Sequence, residues 1–217
     1  MDHVALTMLN DLLTPPRKFQ NPGSLHSHSL LITHTRRIEM KTALFSLVGS
    51  CIFAISTGTL ATELLILSNS INGNKIDKVH ACGRQGGSDS SVQLSVKNIP
   101  TDAKYLAIVA DDPDAVRPAG KVWVHWNVFN IPVGGSSFDI GVGEKVQGDV
   151  GRTSGNSKGY EGMCPPDGVH TYRFAVFALR DKVEVGGFFG PTPMTIDFFE
   201  SKFKGQIISK GMISGQF

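Results

Sequence analysis

The apolar residues of this chain occur in short runs, and those runs are rich in the residue types that favour strands. Gly, Pro, Asn and Asp fill the gaps between them, as expected for turns. Long amphipathic helices do not alternate with the runs, which argues against a doubly wound parallel sheet. The sequence therefore predicts a mainly β domain with strands near 64–67, 92–96, 105–110, 122–131 and 172–179.

One segment near the C-terminal end has helical spacing instead. Within residues 192–204, Ile196, Phe199 and Phe203 fall on one face of a helix, and Thr195 is suited to cap its first turn. The sequence predicts a single amphipathic helix here, packed on the β domain by its apolar face.

Acidic residues stand at the end of one predicted strand, where apolar residues are usual. Asp111 and Asp112 close the 105–110 run, Asp114 follows, and His125 lies inside the next run. A carboxylate cluster beside a histidine suggests a polar pocket at the edge of a sheet. The alternative is a charged turn next to a buried histidine with satisfied hydrogen bonds, and these residues alone do not decide between the two.

A third segment, residues 159–172, completes a recognisable pattern. Asp-Pro-Asp-Ala at 112–115, Val-His-Trp-Asn-Val at 124–128 and Gly-Tyr…Cys-Pro-Pro-Asp-Gly…His-Thr-Tyr at 159–172 follow one another in order. The chain from 64 to 217 resembles the phosphatidylethanolamine-binding protein (PEBP) family, also called the Raf kinase inhibitor-like family, in its bacterial form. The resemblance implies an antiparallel β-sandwich with Greek-key connections and a few short peripheral helices.

The resemblance also implies a pocket for a phosphate-like anion, such as a phosphorylated small molecule or a lipid headgroup. Imidazoles can donate hydrogen bonds to such an anion, and a nearby carboxylate favours their charged form. Asp114 could instead only cap a turn, and Tyr172 could be part of the strand core. By resemblance the ligand-binding residues are Asp112, Asp114, His125, His170 and Tyr172, with Pro113, Tyr160, Cys164 and Pro165 nearby.

The match is weakest at residues 91–96. The family usually carries Ser-Pro-Pro-Leu-Ser-Trp at this point, whereas this chain has Ser-Val-Gln-Leu-Ser-Val. Met163 also stands where a small residue or proline is common. We therefore expect an altered pocket wall and a narrower entrance.

Residues 40–61 have the pattern of a secretory signal peptide: Met40-Lys41, then an apolar stretch and a small-residue exit ending at Ala61. Residues 1–39 would then be a non-native or disordered extension, and 62–217 the PEBP-like domain. An uncleaved membrane anchor or a buried helix are the alternatives for this segment. Cleavage would make the protein periplasmic or secreted.

Charge argues against nucleic acid as a partner. Residues 62–217 contain 16 Lys and Arg and 16 Asp and Glu, and no basic run with interleaved aromatic residues. The cysteines left in this part are Cys82 and Cys164. An exported domain and the placement of cysteines in related bacterial proteins favour a disulfide between them, with two buried thiols as the alternative.

No motif of a catalytic nucleophile, a P-loop or a zinc protease occurs in the sequence. Asp112, His125 and His170 form a ligand set that could bind iron, but their spacing does not favour a metal site. We therefore expect a non-enzymatic binding protein without cofactor. The alternative is an inhibitor of a kinase or protease that acts through protein contacts, and a homodimer stays open.

Overall fold

The computed structural model describes residues 63–187 and 190–217, so the predicted extension 1–39 and signal peptide 40–61 lie outside the described residues. The described part contains two α-helices, α1 (Val116–Ala119) and α2 (Ile196–Lys202), and two 3-10 turns. Its strands are β1 (Leu65–Leu67), β2 (Ile71–Asn72), β3 (Lys75–Ile76), β4 (Leu94–Lys97), β5 (Tyr105–Asp112), β6 (Trp123–Pro132), β7 (Ser137–Ile140), β8 (Asp149–Val150), β9 (Thr171–Leu179), β10 (Gly186–Gly187), β11 (Gly190–Pro191) and β12 (Ile207–Gln216).

Two sheets carry most of these strands, which confirms the predicted mainly β class. The larger has seven strands in the order β2-β3-β12-β9-β5-β6-β8, and the smaller has three in the order β1-β4-β7. The pairs are antiparallel except β12 with β3. β10 and β11 form a separate two-stranded pair.

The central strands β5 and β9 of the large sheet are buried on both faces. Their side chains point alternately to one face and the other. Ile108 of β5 and Val176 of β9 point into the core shared with the small sheet, where they join Leu94. Their neighbours Val109 and Phe177 point the other way, into a second core completed by α2. Burial on both faces explains why β5 and β9 are continuous apolar runs in the sequence.

Helix α2 confirms the predicted amphipathic segment, though it is shorter than the predicted 192–204. The Thr195 hydroxyl accepts a hydrogen bond from the Phe198 backbone N–H at 3.2 Å, as a capping residue does. Phe199 is fully buried. The centroid of its ring lies 4.8 Å from the ring centroid of Phe177 and 5.5 Å from that of Phe129. No helix in the described part is long and apolar enough to cross a membrane.

Candidate functional site

A cavity of about 220 Å³ lies at one end of the large sheet. Strands β9, β5 and β6 are antiparallel neighbours, so β5 ends at the edge where β6 and β9 begin. Residues far apart in sequence therefore meet there. The cavity is lined by Arg84, Asp112, Ala115, Pro118, Ala119, Trp123, His125, Glu161, Gly162, Cys164, Pro165, Pro166, His170 and Tyr172.

Asp112 has a structural role and a site role at once. Its Oδ1 accepts hydrogen bonds from the backbone N–H groups of Asp114 (2.9 Å) and Ala115 (3.2 Å), which turns the chain into α1. Its Oδ2 lies 2.7 Å from Nδ1 of His170, and both side chains are buried. The carboxylate is thereby fixed in one orientation beside the imidazole.

His170 lies between two carboxylates, which favour its charged form. Its Nδ1 contacts Asp112, and its Nε2 lies 3.3 Å from Oδ1 of the more exposed Asp167. Burial opposes the charge, but the hydrogen bonds and charges of Asp112 and Asp167 outweigh it and raise the pKa of His170. Of its two contacts, the one with Asp167 is longer and nearer to solvent.

The pKa of His125 is shifted in the opposite direction from that of His170. Burial lowers its pKa, in spite of the Glu161 carbonyl and the charges of Glu161, Asp112 and Asp111. Its Nδ1 lies 2.8 Å from the backbone oxygen of Glu161. A carbonyl can only accept, so Nδ1 carries the proton and Nε2 of the neutral ring is an acceptor. His125 therefore donates to an anion from Nε2 only after it takes up a proton.

Tyr172 provides a donor instead. Its hydroxyl is buried and has no hydrogen-bond partner among the described residues. Burial, followed by the charges of Asp112 and Asp114, raises the pKa of Tyr172, so the hydroxyl stays protonated. The ring packs edge-on against His125 at 5.1 Å between centroids. A buried hydroxyl without a partner is costly, and a bound acceptor would remove that cost.

The wall opposite these residues is built from two joined segments. Cys82 and Cys164 form a disulfide, and Gln85 Nε2 donates to the Pro165 carbonyl at 3.1 Å. Gly162 permits this close approach, since a Cβ at its position would lie 2.6 Å from the Cys82 backbone nitrogen. The wall is thus fixed to the 3-10 turn that carries Arg84.

Six of the residues expected from the resemblance line this one cavity: Asp112, His125, Cys164, Pro165, His170 and Tyr172. The other three lie outside its lining. Asp114 accepts from the Thr171 backbone N–H at 2.7 Å, so it fastens the α1 turn to β9, and Pro113 belongs to that same turn. The Tyr160 hydroxyl donates to the His80 carbonyl at 3.0 Å, and the Tyr160 side chain lines a neighbouring groove instead.

The burial of Met163 and of the segment 91–96 corrects the two expectations of a narrower entrance and an altered pocket wall. Met163 does not narrow the entrance: it is fully buried in the core and pairs with Ala81 in an isolated β-bridge. The unusual segment 91–96 contributes nothing to the cavity lining, because Val92, Leu94 and Val96 are fully buried between the sheets. Val92 and Val96 are core residues, and the pocket wall comes from other parts of the chain.

Sequence reasoning missed Arg84 and Glu161. The Glu161 carboxylate accepts from Trp123 Nε1 at 3.2 Å and from the Gly155 backbone N–H at 3.1 Å. The one available signal for Arg84 was its position two residues after Cys82. In the described part, no group of three His, Cys, Asp or Glu side chains is arranged to hold a metal ion.

Two sheets, with a small cavity at the end of the larger one that is largely apolar and holds a few polar side chains, define a mainly β domain with a candidate binding site. The model of the phosphatidylethanolamine-binding protein family matches residues 68–217, and the chain belongs to this family. The resemblance read from the three sequence blocks is thereby confirmed.

Relatives agree with this assignment. A UPF0098 protein of Methanothermobacter thermautotrophicus is 42% identical over 97 residues, which are 43% of this chain and 62% of the relative. LppC of Mycobacterium tuberculosis, named as a candidate lipoprotein, is 43% identical over 82 residues, 37% of this chain and 39% of LppC. The chain therefore spans less than two thirds of both relatives.

A solved structure shows the same fold over nearly its whole length. E. coli YbcL, described as a new member of the mammalian PEBP family, is 28% identical with a TM-score of 0.59. The match covers 72% of this chain and 98% of YbcL.

Proposed function

We propose that this protein is a non-enzymatic binding protein that holds a phosphate ester or a phospholipid headgroup in the cavity at the end of the large sheet. One observation carries the proposal: the buried Tyr172 hydroxyl has no partner in the described part of the chain and lines the cavity beside His125 and His170. A phosphate oxygen would accept the hydrogen bond that this hydroxyl lacks.

The two histidines support an anionic ligand in different ways. The raised pKa of His170 favours its charged form, and a phosphate oxygen can replace Asp167 at its Nε2, since that contact is long and the carboxylate is partly exposed. His125 would donate from Nε2 after it takes up a proton, or would accept from a protonated phosphate. In the first case, anion binding is accompanied by proton uptake.

We also propose that the protein is exported. The support is the signal-peptide pattern of residues 40–61, which lie outside the described residues, and the name of LppC as a candidate lipoprotein, which suggests the cell envelope. The disulfide between Cys82 and Cys164 is consistent with an oxidising compartment.

Calorimetric titration of the full chain with phosphate and phosphoethanolamine tests the binding function. Tyr172→Phe removes only the hydroxyl and should weaken binding by roughly tenfold, as expected for one lost hydrogen bond to an anion. Tyr160→Phe is the matched control, because that hydroxyl donates to the His80 carbonyl and does not line the cavity. Absence of binding to folded wild-type protein would refute the proposal, as would equal affinities of Tyr172→Phe and the wild type.

A further inference from the structure

Two arginines, Arg117 and Arg84, lie at or beside the rim of the cavity. Of these, only Arg117 is paired with a carboxylate of the described residues. Arg117 of α1 forms a salt bridge with Asp167, which neutralises it. Arg84 donates from Nη2 to the Cys164 sulfur at 3.3 Å and has no carboxylate partner within the described residues. Sulfur is a weak acceptor, so the Arg84 guanidinium keeps most of its capacity to bind an anion.

The position of Arg84 is defined by its neighbours. It lies in the 3-10 turn Gly83–Gln85, which begins directly after the disulfide-bonded Cys82. Gln85 attaches the same turn to the Pro165 carbonyl. The backbone of the turn that carries Arg84 is therefore fixed against the cavity wall.

The carboxylates that line the cavity are already engaged elsewhere. Asp112 contacts His170 and the turn into α1, and Glu161 receives hydrogen bonds from Trp123 and Gly155 on its two oxygens. Neither pairs with Arg84. Among the described residues, no carboxylate competes with a bound anion for Arg84.

The lining residues differ in depth. Tyr172 and His170 are buried and form the inner end, whereas Arg84 is exposed and lies at the rim. A phosphate group bound at the inner end would leave the rest of its ester pointing towards the rim. The substituent on that ester would then meet the Arg84 guanidinium.

We propose that Arg84 is a specificity-determining residue that selects phosphate esters carrying a second anionic group, such as a carboxylate. This inference rests on the proposed function and names the ligand class of the same site. A guanidinium binds a carboxylate through two parallel hydrogen bonds and repels an ammonium group. The cavity then favours a doubly anionic ester over a zwitterionic one.

Three small esters of similar size separate the possibilities: ethyl phosphate, phosphoethanolamine and phosphoglycolate. They share the phosphate and differ in a neutral, cationic or anionic substituent. Calorimetric titration of the full chain should show phosphoglycolate binding roughly two- to fivefold more tightly than ethyl phosphate, the range expected for an exposed ion pair. Phosphoethanolamine should bind no more tightly than ethyl phosphate.

Arg84→Gln should abolish the preference for phosphoglycolate and leave the affinity for ethyl phosphate nearly unchanged. Arg84→Lys keeps the charge without the planar fork and should retain part of the preference. Lys78→Gln is the matched control: it removes one positive charge beside Gly86 of the same segment, but Lys78 does not line the cavity. Its ligand preference should equal that of the wild type.

Several outcomes would overturn the specificity role. Equal binding of ethyl phosphate and phosphoglycolate, or a preference for phosphoethanolamine, would show that Arg84 does not select an anion. A uniform loss for all three esters in Arg84→Gln would show that Arg84 binds the shared phosphate instead. Failure of all three esters to bind the folded wild type is a different result, since it refutes the proposed function itself.

Discussion

Asp111 and Asp112 are adjacent in β5, yet their carboxylates bind on opposite faces of the large sheet. Asp112 contacts His170 in the cavity, whereas Asp111 accepts from Arg173 Nε at 2.8 Å and from the Ile196 backbone N–H at 2.9 Å. Successive side chains of a strand point to opposite faces of the sheet, so these two neighbouring carboxylates are separated. One carboxylate belongs to the candidate site, and the other fastens α2 to the sheet.

Asp111→Asn should destabilise the protein strongly without changing the cavity. Asp111 is fully buried, whereas Arg173 stays partly exposed and also contacts Asp197, so the loss should be roughly 1.5–3 kcal/mol in the free energy of unfolding, as for a hydrogen bond to a charged group. Asp102→Asn breaks the exposed pair with Arg180 and should cost less than about 1 kcal/mol. Urea denaturation of both variants checks the difference, and similar losses would contradict the structural role of Asp111.

Asp112→Asn should lower the pKa of His170, because the charged partner that favours the imidazolium is gone while the asparagine oxygen can still accept from Asp114. Titration of the histidine ring signals by NMR measures the shift directly. The raised pKa of His170 adds stability that is fully present below its unfolded value and lost as pH rises through the folded value. The loss of stability in Asp112→Asn should therefore be roughly 1.5–3 kcal/mol at about pH 5.5 and smaller at about pH 9. An unchanged His170 titration would count against this pairing.

Sulfate affinity should rise in two steps as pH falls, since sulfate itself does not change charge in this range. The pKa of His170 is raised, so its step lies above the ordinary value near 6.5, and the pKa of His125 is lowered, so its step lies below that value. His125→Asn should remove only the acidic step. Calorimetry across the pH range measures both steps, and an acidic step that survives in His125→Asn would contradict the assignment to His125.

Replacing both cysteines by serine should reduce the stability of the fold. The disulfide joins residues separated by 82 positions, and cross-links of this kind typically contribute about 2–4 kcal/mol. Denaturation of Cys82→Ser/Cys164→Ser against the oxidised wild type measures the loss. The same variant should also weaken the phosphoglycolate preference, because the turn carrying Arg84 is released from the wall. A full preference in the double variant would show that the remaining hydrogen bonds, including Gln85 to the Pro165 carbonyl and the Cys82 N–H to the Met163 carbonyl, position the turn without the disulfide.

The parts of the fold predictable from sequence were those in which apolar residues mark the element. β5, β6, β9 and α2 have buried faces dense enough to be recognised. β12 was not predicted, although it pairs with β9 along its whole length. Its glycines obscure it: a Cβ at Gly211 would lie 2.8 Å from an Ile66 side-chain carbon, and one at Gly215 would lie 2.6 Å from an Ile76 side-chain carbon. Close packing on this strand therefore requires the residue type that normally argues against a strand.

The candidate site was predictable only through its motif blocks. These blocks supplied Asp112, His125 and His170. All three line the cavity, and they belong to strands or adjoin them. They could not give the tautomer of His125, which depends on a contact with the Glu161 backbone. Nor could they show Arg84 at the rim, since the Cys82–Cys164 disulfide brings its turn to the cavity across 82 positions.

The position of β12 also has a consequence for the order of folding. This strand is synthesised after the others, yet it lies between β3 and β9, and it pairs Gln216 with Lys75 from the far end of the domain. Contacts between such distant residues slow folding, because a long loop must close first. The large sheet therefore cannot be completed until β12 has been added, and until then the edge of β9 stays open to association with other chains.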